Sequence, residues 1–108
     1  MPKTWPQNKY RNRPCVIDGK WFQSTKEGHR YQELRLLEKA GEISHLKTQV
    51  RFPIVVNGEK VCVYVSDFTY RTLEGDDVVE DAKGARTDIY KLKAKLLWAT
   101  QRIIIKET

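Results

Sequence analysis

The chain has 108 residues, of which 40% are hydrophobic and 31% are charged, a balance typical of a globular protein and not of a disordered one. This length predicts a single domain. No apolar run approaches the roughly 20 residues that cross a bilayer, and residues 1–20 lack the apolar segment of a signal peptide. We therefore expect a cytoplasmic protein without a membrane partner, in which Cys15 and Cys62 are free thiols.

The formal net charge of +6 favours a polyanionic partner, with nucleic acid as the first candidate. Residues 1–20 contain five basic residues and one acidic residue, a net charge of +4. We predict that they form a partly flexible basic arm in which Lys9, Arg11 and Arg13 contact the DNA backbone. A disordered tail without a ligand is the alternative. Residues 21–108 would form the folded domain.

The first predicted element is a helix that begins after Ser24 and ends before Gly41. Ser24 is a favourable N-cap, and Glu27 three residues later completes the pattern of a capping box. Helical spacing predicts a buried stripe formed by Tyr31, Leu34, Leu37 and Ala40. We expect Trp21 and Phe22, which precede the helix, to pack in the core.

Three strands are predicted next, over residues 46–56, 60–71 and 77–83. Asn57-Gly58 is a strong signal for a hairpin turn between the first two. Gly75 can adopt the left-handed conformation that the second turn needs. In the middle strand we expect the inward face to carry Val61, Val63, Val65 and Asp67.

A second helix is predicted from Thr87 or Asp88 to Ala99, followed by a last strand at residues 102–105. We expect its apolar face to be formed by Ile89, Leu92, Leu96 and Ala99, with Trp98 in the core. Lys91 and Lys95 lie one turn apart and are candidates for phosphate contacts, although a solvated helix face is the alternative. The order of elements is therefore α-β-β-β-α-β.

Two acidic residues stand where the strand pattern calls for apolar ones. If the second hairpin centres on Glu74, Asp67 lies opposite Asp81 with Cβ atoms about 5 Å apart. Like charges at this distance destabilise a sheet, and a divalent cation would compensate them. Lys83 shares the face of Asp81 and could orient or deprotonate a water or stabilise a phosphate. The alternatives are a surface ion pair of Lys83, or a one-residue slip that places Asp67 opposite Glu80.

Four segments resemble the PD-(D/E)xK nuclease superfamily and, within it, a family of small phage and prophage proteins of unassigned function. They are Lys9-Tyr10-Arg11-Asn12, Phe22-Gln23-Ser24-Thr25-Lys26-Glu27, Ser66-Asp67-Phe68 and Val78-Val79-Glu80-Asp81-Ala82-Lys83-Gly84. The resemblance covers about residues 9–107. It implies an α/β (α+β) fold with a restriction-endonuclease-like αβββαβ core, in which helices flank a mixed sheet. It also implies a phage- or prophage-encoded protein of the bacterial host cell.

The resemblance implies a Mg²⁺- or Mn²⁺-dependent DNA endonuclease that acts on branched or structured DNA in recombination, repair or packaging. Asp67 and Asp81 resemble the two acids of the motif, and Lys83 resembles its lysine. Glu27 resembles the additional acidic ligand of several members, and it would join the catalytic set. The metal ligands would then be Asp67, Asp81, Glu27 and the carbonyl of Ala82, while Gln49 would line the site and contact nucleic acid.

Two positions depart from the motif. Ser66 stands in place of its proline, and Asp81 replaces the commoner glutamate, with Glu80 beside it as a rival. Several alternatives stay open at this point. Glu27 could serve only as a helix cap, the number of metal ions could be one or two, and the protein could form a homodimer. The chain could also be an inactive nucleic-acid-binding module on the same fold, or an RNA-cleaving relative.

Overall fold

The computed structural model describes residues 13–82 and 86–108 of the chain. Lys9, Arg11 and Lys83, to which the sequence assigned functional roles, lie outside these ranges. The elements follow in the order β1 (Cys15–Ile17), β2 (Lys20–Phe22), α1 (Thr25–Lys39), β3 (Ile43–Val56), β4 (Glu59–Thr72), β5 (Asp77–Asp81), α2 (Asp88–Gln101) and β6 (Ile105–Glu107). After the first two strands, the α-β-β-β-α-β order is the predicted one.

Four of the strands form one mixed sheet, in the order β3-β4-β5-β6. The pairs β3–β4 and β4–β5 are antiparallel, whereas β5 and β6 are parallel and are connected through α2. The two helices complete an α+β fold, which confirms the predicted fold class. No helix in the described part of the chain is long and apolar enough to cross a membrane.

The strands β1 and β2 form a separate antiparallel hairpin that lies against α1. Part of the arm that we expected over residues 1–20 is therefore a strand. Phe22 is buried and packs on Tyr31 with ring centroids 5.0 Å apart, as expected of a core residue. Trp21, also expected in the core, is instead 65% exposed, because neighbouring residues of a strand point to opposite sides.

Helix α1 begins as the sequence predicts. The Ser24 side chain accepts a hydrogen bond from the Glu27 backbone N–H at 3.1 Å, and Gly41 follows the helix with φ +80°. Tyr31 and Leu34 are buried. The prediction of a buried Leu37 is wrong, because the core cluster beneath α1 contains Tyr31 and Leu34 and does not extend to the last turn.

The β3–β4 hairpin turns at Asn57 and Gly58, whose φ angles of 51° and 81° are those of the predicted turn type. The predicted inward face of β4 is wrong: Val61 is 57% exposed and Val65 is also exposed. The buried side chains are Tyr64, Ser66, Phe68 and Tyr70. Aromatic rings bury more apolar area than valines, so their burial decides which face of the strand lies inward.

Along the β3–β4 hairpin, the buried side chains pack against α2 in one part and against α1 in the other. Tyr64 belongs to the buried cluster that includes Leu97 of α2, whereas Phe68 belongs to the cluster that includes Leu34 of α1. The change occurs between these two residues of β4, near Asp67. Opposite Asp67 on β3, Gln49 has φ 54° and does not take part in the ladder. A regular strand would keep residues 64 and 68 on one side.

Helix α2 has Thr87 as its N-cap and buries Tyr90 and Leu97. The predicted apolar face is partly right, since Leu96 packs against the cluster of Tyr90 and Leu97, but Ile89, Leu92 and Ala99 are exposed. The helix is rotated so that the Tyr90 hydroxyl donates to Glu107 Oε2 at 2.6 Å and Tyr90 packs near Tyr64.

The same rotation leaves Trp98, expected in the core, 47% exposed. The last strand lies three residues later than predicted, at residues 105–107, because Arg102 adopts a left-handed conformation that ends α2.

Candidate active site

The register of β4 and β5 brings Asp67 and Asp81 together. The ladder pairs Thr69 with Val79 and ends with Phe68 opposite Glu80, and this register places the next residues, Asp67 and Asp81, across from each other. This is the predicted register and not the one-residue slip. The two carboxyl groups lie close enough for Asp81 to change the acidity of Asp67. Asp81 is fully buried and Asp67 is half-buried.

Two groups that the sequence did not assign to these carboxylates hold them in place. The Ala82 backbone N–H donates a hydrogen bond to Asp67 Oδ2 at 2.8 Å. The Tyr64 hydroxyl donates to Asp81 Oδ2. Period-two alternation placed Tyr64 on the face of β4 opposite Asp67, and no sequence signal shows the change of side that brings it to the site.

Glu27 is buried in the first turn of α1 and faces the same site. Gln49 Nε2 donates a hydrogen bond to Glu27 Oε2 at 2.9 Å, and the charge of Glu27 acts on Asp67. Its backbone N–H meanwhile donates to the N-cap Ser24. Glu27 is therefore the N3 residue of α1, as predicted, and its carboxylate lies close enough to Asp67 for its charge to act there.

Burial and neighbouring negative charge change the acidity of these groups. Burial, together with the hydrogen bond and charge of Asp81 and the charge of Glu27, raises the pKa of Asp67 to about 8 against the opposing hydrogen bond from Ala82. Burial and the contact with Asp81 also raise the pKa of Tyr64 above its usual range. Asp67 therefore retains its proton near neutral pH.

The chemistry of these donors fits a small divalent cation. Mg²⁺ binds through one or two carboxylates and keeps several waters, and the Asp67–Asp81 pair offers two neighbouring carboxylates. A cation would also relieve the repulsion that raises the pKa of Asp67. Within residues 13–82 and 86–108, no three His, Cys, Asp or Glu side chains form a metal-binding group. The site is thus a two-carboxylate site with Glu27 beside it.

Glu80, the rival of Asp81, belongs to a different environment. Its carboxylate is buried and accepts hydrogen bonds from Arg30 Nε at 2.5 Å, Arg30 Nη2 at 3.0 Å and the Tyr70 hydroxyl at 2.6 Å. Burial favours a higher pKa for Glu80, but the bonds from Arg30 and Tyr70 outweigh it and hold the pKa below its usual value. Glu80 is neutralised by an ion pair, which leaves Asp81 as the acid of the site.

The remaining candidates are distributed over the surface. Arg13 precedes β1, and Lys91 and Lys95 lie on α2; all three are exposed. Lys83 follows Asp81 by two residues in the segment outside the described ranges. The structure thus brings together Glu27 and Gln49 with the Asp pair and the Ala82 backbone, while the basic residues named from the sequence stand elsewhere or outside the described ranges.

Comparison with known families gives one result. A family model matches residues 7–106, nearly the whole chain, and it is described as a protein of unknown function (DUF1064). No curated protein and no solved structure matches the chain.

Proposed function

The chain belongs to the family of proteins of unknown function DUF1064, and we propose that it is a Mg²⁺- or Mn²⁺-dependent endonuclease that hydrolyses phosphodiester bonds in DNA. The observation that carries the proposal is the pair of neighbouring carboxyl groups, Asp67 and Asp81, with the pKa of Asp67 raised to about 8. Folding brings two like charges together and buries one of them, an arrangement typical of functional sites. The net charge of +6 suits a polyanionic substrate.

In this proposal Asp67 and Asp81 hold the cation through their carboxylate oxygens, and the Ala82 carbonyl is a further candidate ligand. When bound, the cation lowers the pKa of water and stabilises the negative charge that develops on the phosphate. The Ala82 N–H fixes Asp67, and the Tyr64 hydroxyl fixes Asp81. These bonds limit the rotation of both carboxylates, so little reorganisation is needed when ligands bind.

Two further groups complete the proposed site. Gln49 orients Glu27 toward the carboxylates, where it adds negative charge and a potential ligand. Lys83, two residues after Asp81 in the chain, would neutralise phosphate charge or position the attacking water. A preference for branched or structured DNA in phage recombination, repair or packaging belongs to the same proposal and rests on the resemblance of the sequence motifs.

The test is cleavage of supercoiled, linear, single-stranded and four-way-junction DNA with Mg²⁺ or Mn²⁺. We expect metal-dependent cleavage by the wild type, and a loss of about 100-fold or more in Asp81→Asn, because the near-isosteric amide cannot supply the lost charge. Lys83→Ala should also lose activity while it still binds DNA in EDTA. Circular dichroism would verify that both variants are folded.

Matched controls separate the site from general charge effects. Glu74→Gln changes an exposed acid in the turn between β4 and β5, and Lys60→Ala changes an exposed lysine near the tip of the β3–β4 hairpin. Both should cut like the wild type. If the wild type binds DNA but cuts no substrate with either metal, the proposal is wrong and the chain is a binding module. Cleavage of RNA alone would replace DNA as the substrate.

A further inference from the structure

A groove of about 670 Å³ opens on the sheet, and its lining begins two residues along β4 and β5 from Asp67 and Asp81. Its walls come from β3, β4 and β5 and from the segment Arg102–Ile104 after α2. Thr69 and Val79, a directly paired couple, line it. Each of these residues lies two positions from Asp67 or Asp81 on the same strand face, a distance of about 7 Å. The groove therefore begins next to the candidate active site.

The groove carries more positive than negative charge. Its lining includes three basic residues, Lys47, Arg71 and Arg102, against a single acid, Asp77. Arg71 pairs with that acid at 3.0 Å. Lys47 and Arg102 are both exposed and line the groove from different elements, one on β3 and one after α2. Their positive charges are therefore available to an anion that enters it.

Two residues that line the groove have left-handed backbone conformations. Five described residues other than glycine have positive φ angles, and two of them, Asp18 and Asn57, lie in hairpin turns that require this conformation. The other three are His45 and Arg102, which line the groove, and Gln49, which contacts Glu27. Such a conformation is costly for residues with a Cβ atom, and it persists where the side chain is needed.

Arg102 shows this most clearly. It occupies the left-handed position after a helix, at which glycine is the usual residue. Its guanidinium instead stacks over the half-exposed ring of Trp98 at 4.8 Å from the centroid. An arginine at this position places a cation in the lining of the groove and stacks it on an aromatic ring outside that lining.

The floor of the groove is apolar and is formed in part by Phe52, Val79 and Ile103. In a duplex the flat faces of the bases are stacked on one another and covered, so they cannot contact the apolar floor of the groove. In a single strand the bases can unstack and contact such a surface while lysine and arginine contact the phosphates. The volume also lies in the range of pockets that enclose single small ligands, which is too small to enclose a duplex.

We infer that this groove binds a single-stranded segment of nucleic acid next to the phosphate at the Asp67–Asp81 site, with Lys47 and Arg102 on its phosphates. The inference rests on the proposed function for the role of that phosphate, and it adds the class of substrate: a strand with a free or unpaired segment. Intact duplex is then the poorer ligand.

The test measures binding in EDTA, so that it does not depend on cleavage. A fluorescent oligonucleotide of about 12 nucleotides, single-stranded or as a duplex, is titrated with the wild type, Lys47→Ala, Arg102→Gly and the double variant. We expect the wild type to prefer the single strand, and the double variant to bind it at least 10-fold more weakly. The slope of log K against log salt should become shallower by about 1.4, since each phosphate contact contributes about 0.7.

Controls distinguish the groove from a general loss of charge or of folding. Lys39→Ala removes an exposed lysine at the end of α1, outside the groove, and should leave both affinity and slope near the wild-type values. Glycine tolerates the left-handed backbone of residue 102, so Arg102→Gly should not lower the melting temperature although it weakens binding. If Arg102 had only a structural role, Arg102→Gly would lower the melting temperature and leave binding unchanged.

Two outcomes overturn the inference: a double variant that binds the single strand like the wild type, or a wild type that prefers the duplex. Cleavage measured in parallel with Mg²⁺ separates this result from the proposed function. Binding that depends on Lys47 and Arg102, without cleavage of any substrate, would retain the groove and reject the nuclease. Cleavage that is unaffected by both substitutions would support the nuclease and reject the groove as a binding site.

Discussion

Glu80 and Asp81 are adjacent buried acids on β5 that face opposite sides of the sheet. Glu80 lies against Arg30 and Tyr70, and Asp81 lies against Tyr64 and Asp67. One position along a strand therefore separates an acid neutralised by an arginine from an acid close to a second carboxyl group. The period of two in a strand predicted this division, because Asp81 and not Glu80 shares a face with residue 83.

The ion pair of Glu80 yields a prediction about stability. Arg30→Met leaves the Glu80 carboxylate buried without its cation, so we expect the free energy of unfolding to fall by about 2–3 kcal/mol at pH 7. The pKa of Glu80 is lowered in the folded state, so its contribution is present above the unfolded pKa, about 4.3, and is lost as the pH falls through the folded value. The effect of Arg30→Met should therefore be smaller at pH 4 than at pH 7.

Urea denaturation at the two pH values measures this difference. Arg35→Met is the matched control on the same helix, because Arg35 pairs with Glu38 and Asp18 at the surface. Surface pairs contribute little, so this variant should unfold close to the wild type. Equal losses in both variants, or a loss that is larger at pH 4, would contradict the assignment of the buried ion pair.

At the scale of the elements, the position of Glu27 depends on how closely α1 approaches the β1–β2 hairpin. Gly28, the next residue, has no room for a side chain: a Cβ atom would lie 2.6 Å from Cys15 Sγ and 2.8 Å from Ile17 Cδ1. The helix start is also fixed by the Ser24 cap. Together these contacts hold the first turn of α1, and with it Glu27, against the β1–β2 hairpin.

We predict that Gly28→Ala destabilises the protein by roughly 1–3 kcal/mol, although alanine is the better helix former, because the new methyl group forces neighbouring atoms to move. The cost should be smaller in a Cys15→Ala background, which removes the closest atom. A double-mutant cycle by thermal unfolding measures this coupling. The same cost in both backgrounds would show that Cys15 does not limit the approach of the helix.

At the scale of the whole molecule, the Asp67–Asp81 site couples stability to pH and to metal. The pKa of Asp67 is raised from 3.8 to about 8 on folding. The metal-free folded protein therefore holds more protons than the unfolded chain across this window, and its stability falls as the pH rises through it. In EDTA we expect the melting temperature to fall between pH 5 and pH 8, and to fall less in Asp67→Asn.

Mg²⁺ should reverse that trend, because a cation binds the ionised pair that the higher pH produces. The rise in melting temperature on addition of Mg²⁺ should be larger at pH 8 than at pH 5, and it should disappear in Asp67→Asn. Differential scanning fluorimetry with and without Mg²⁺ measures both effects. A wild type whose stability is the same in EDTA and Mg²⁺ at pH 8 would argue against a metal at this site.

The sequence by itself determined the elements that depend on neighbours along the chain. The cap at Ser24 and the turn at Asn57-Gly58 are local signals, and both occur as predicted. The turn around Glu74 also set the register that places Asp67 opposite Asp81. Residue spacing within one hairpin fixes which strand residues meet, so the acid pair of the site could be inferred without the tertiary structure.

Only the tertiary structure decided which faces are buried and which distant residues join the site. The valines of β4 and the Ile89–Leu92 face of α2 are as apolar as the buried faces, but larger aromatic rings compete for the same interior. The contacts of Tyr64 with Asp81 and of Gln49 with Glu27 depend on where the hairpin changes sides. The groove of Lys47 and Arg102 combines residues 55 positions apart, a juxtaposition that no periodicity along the chain encodes.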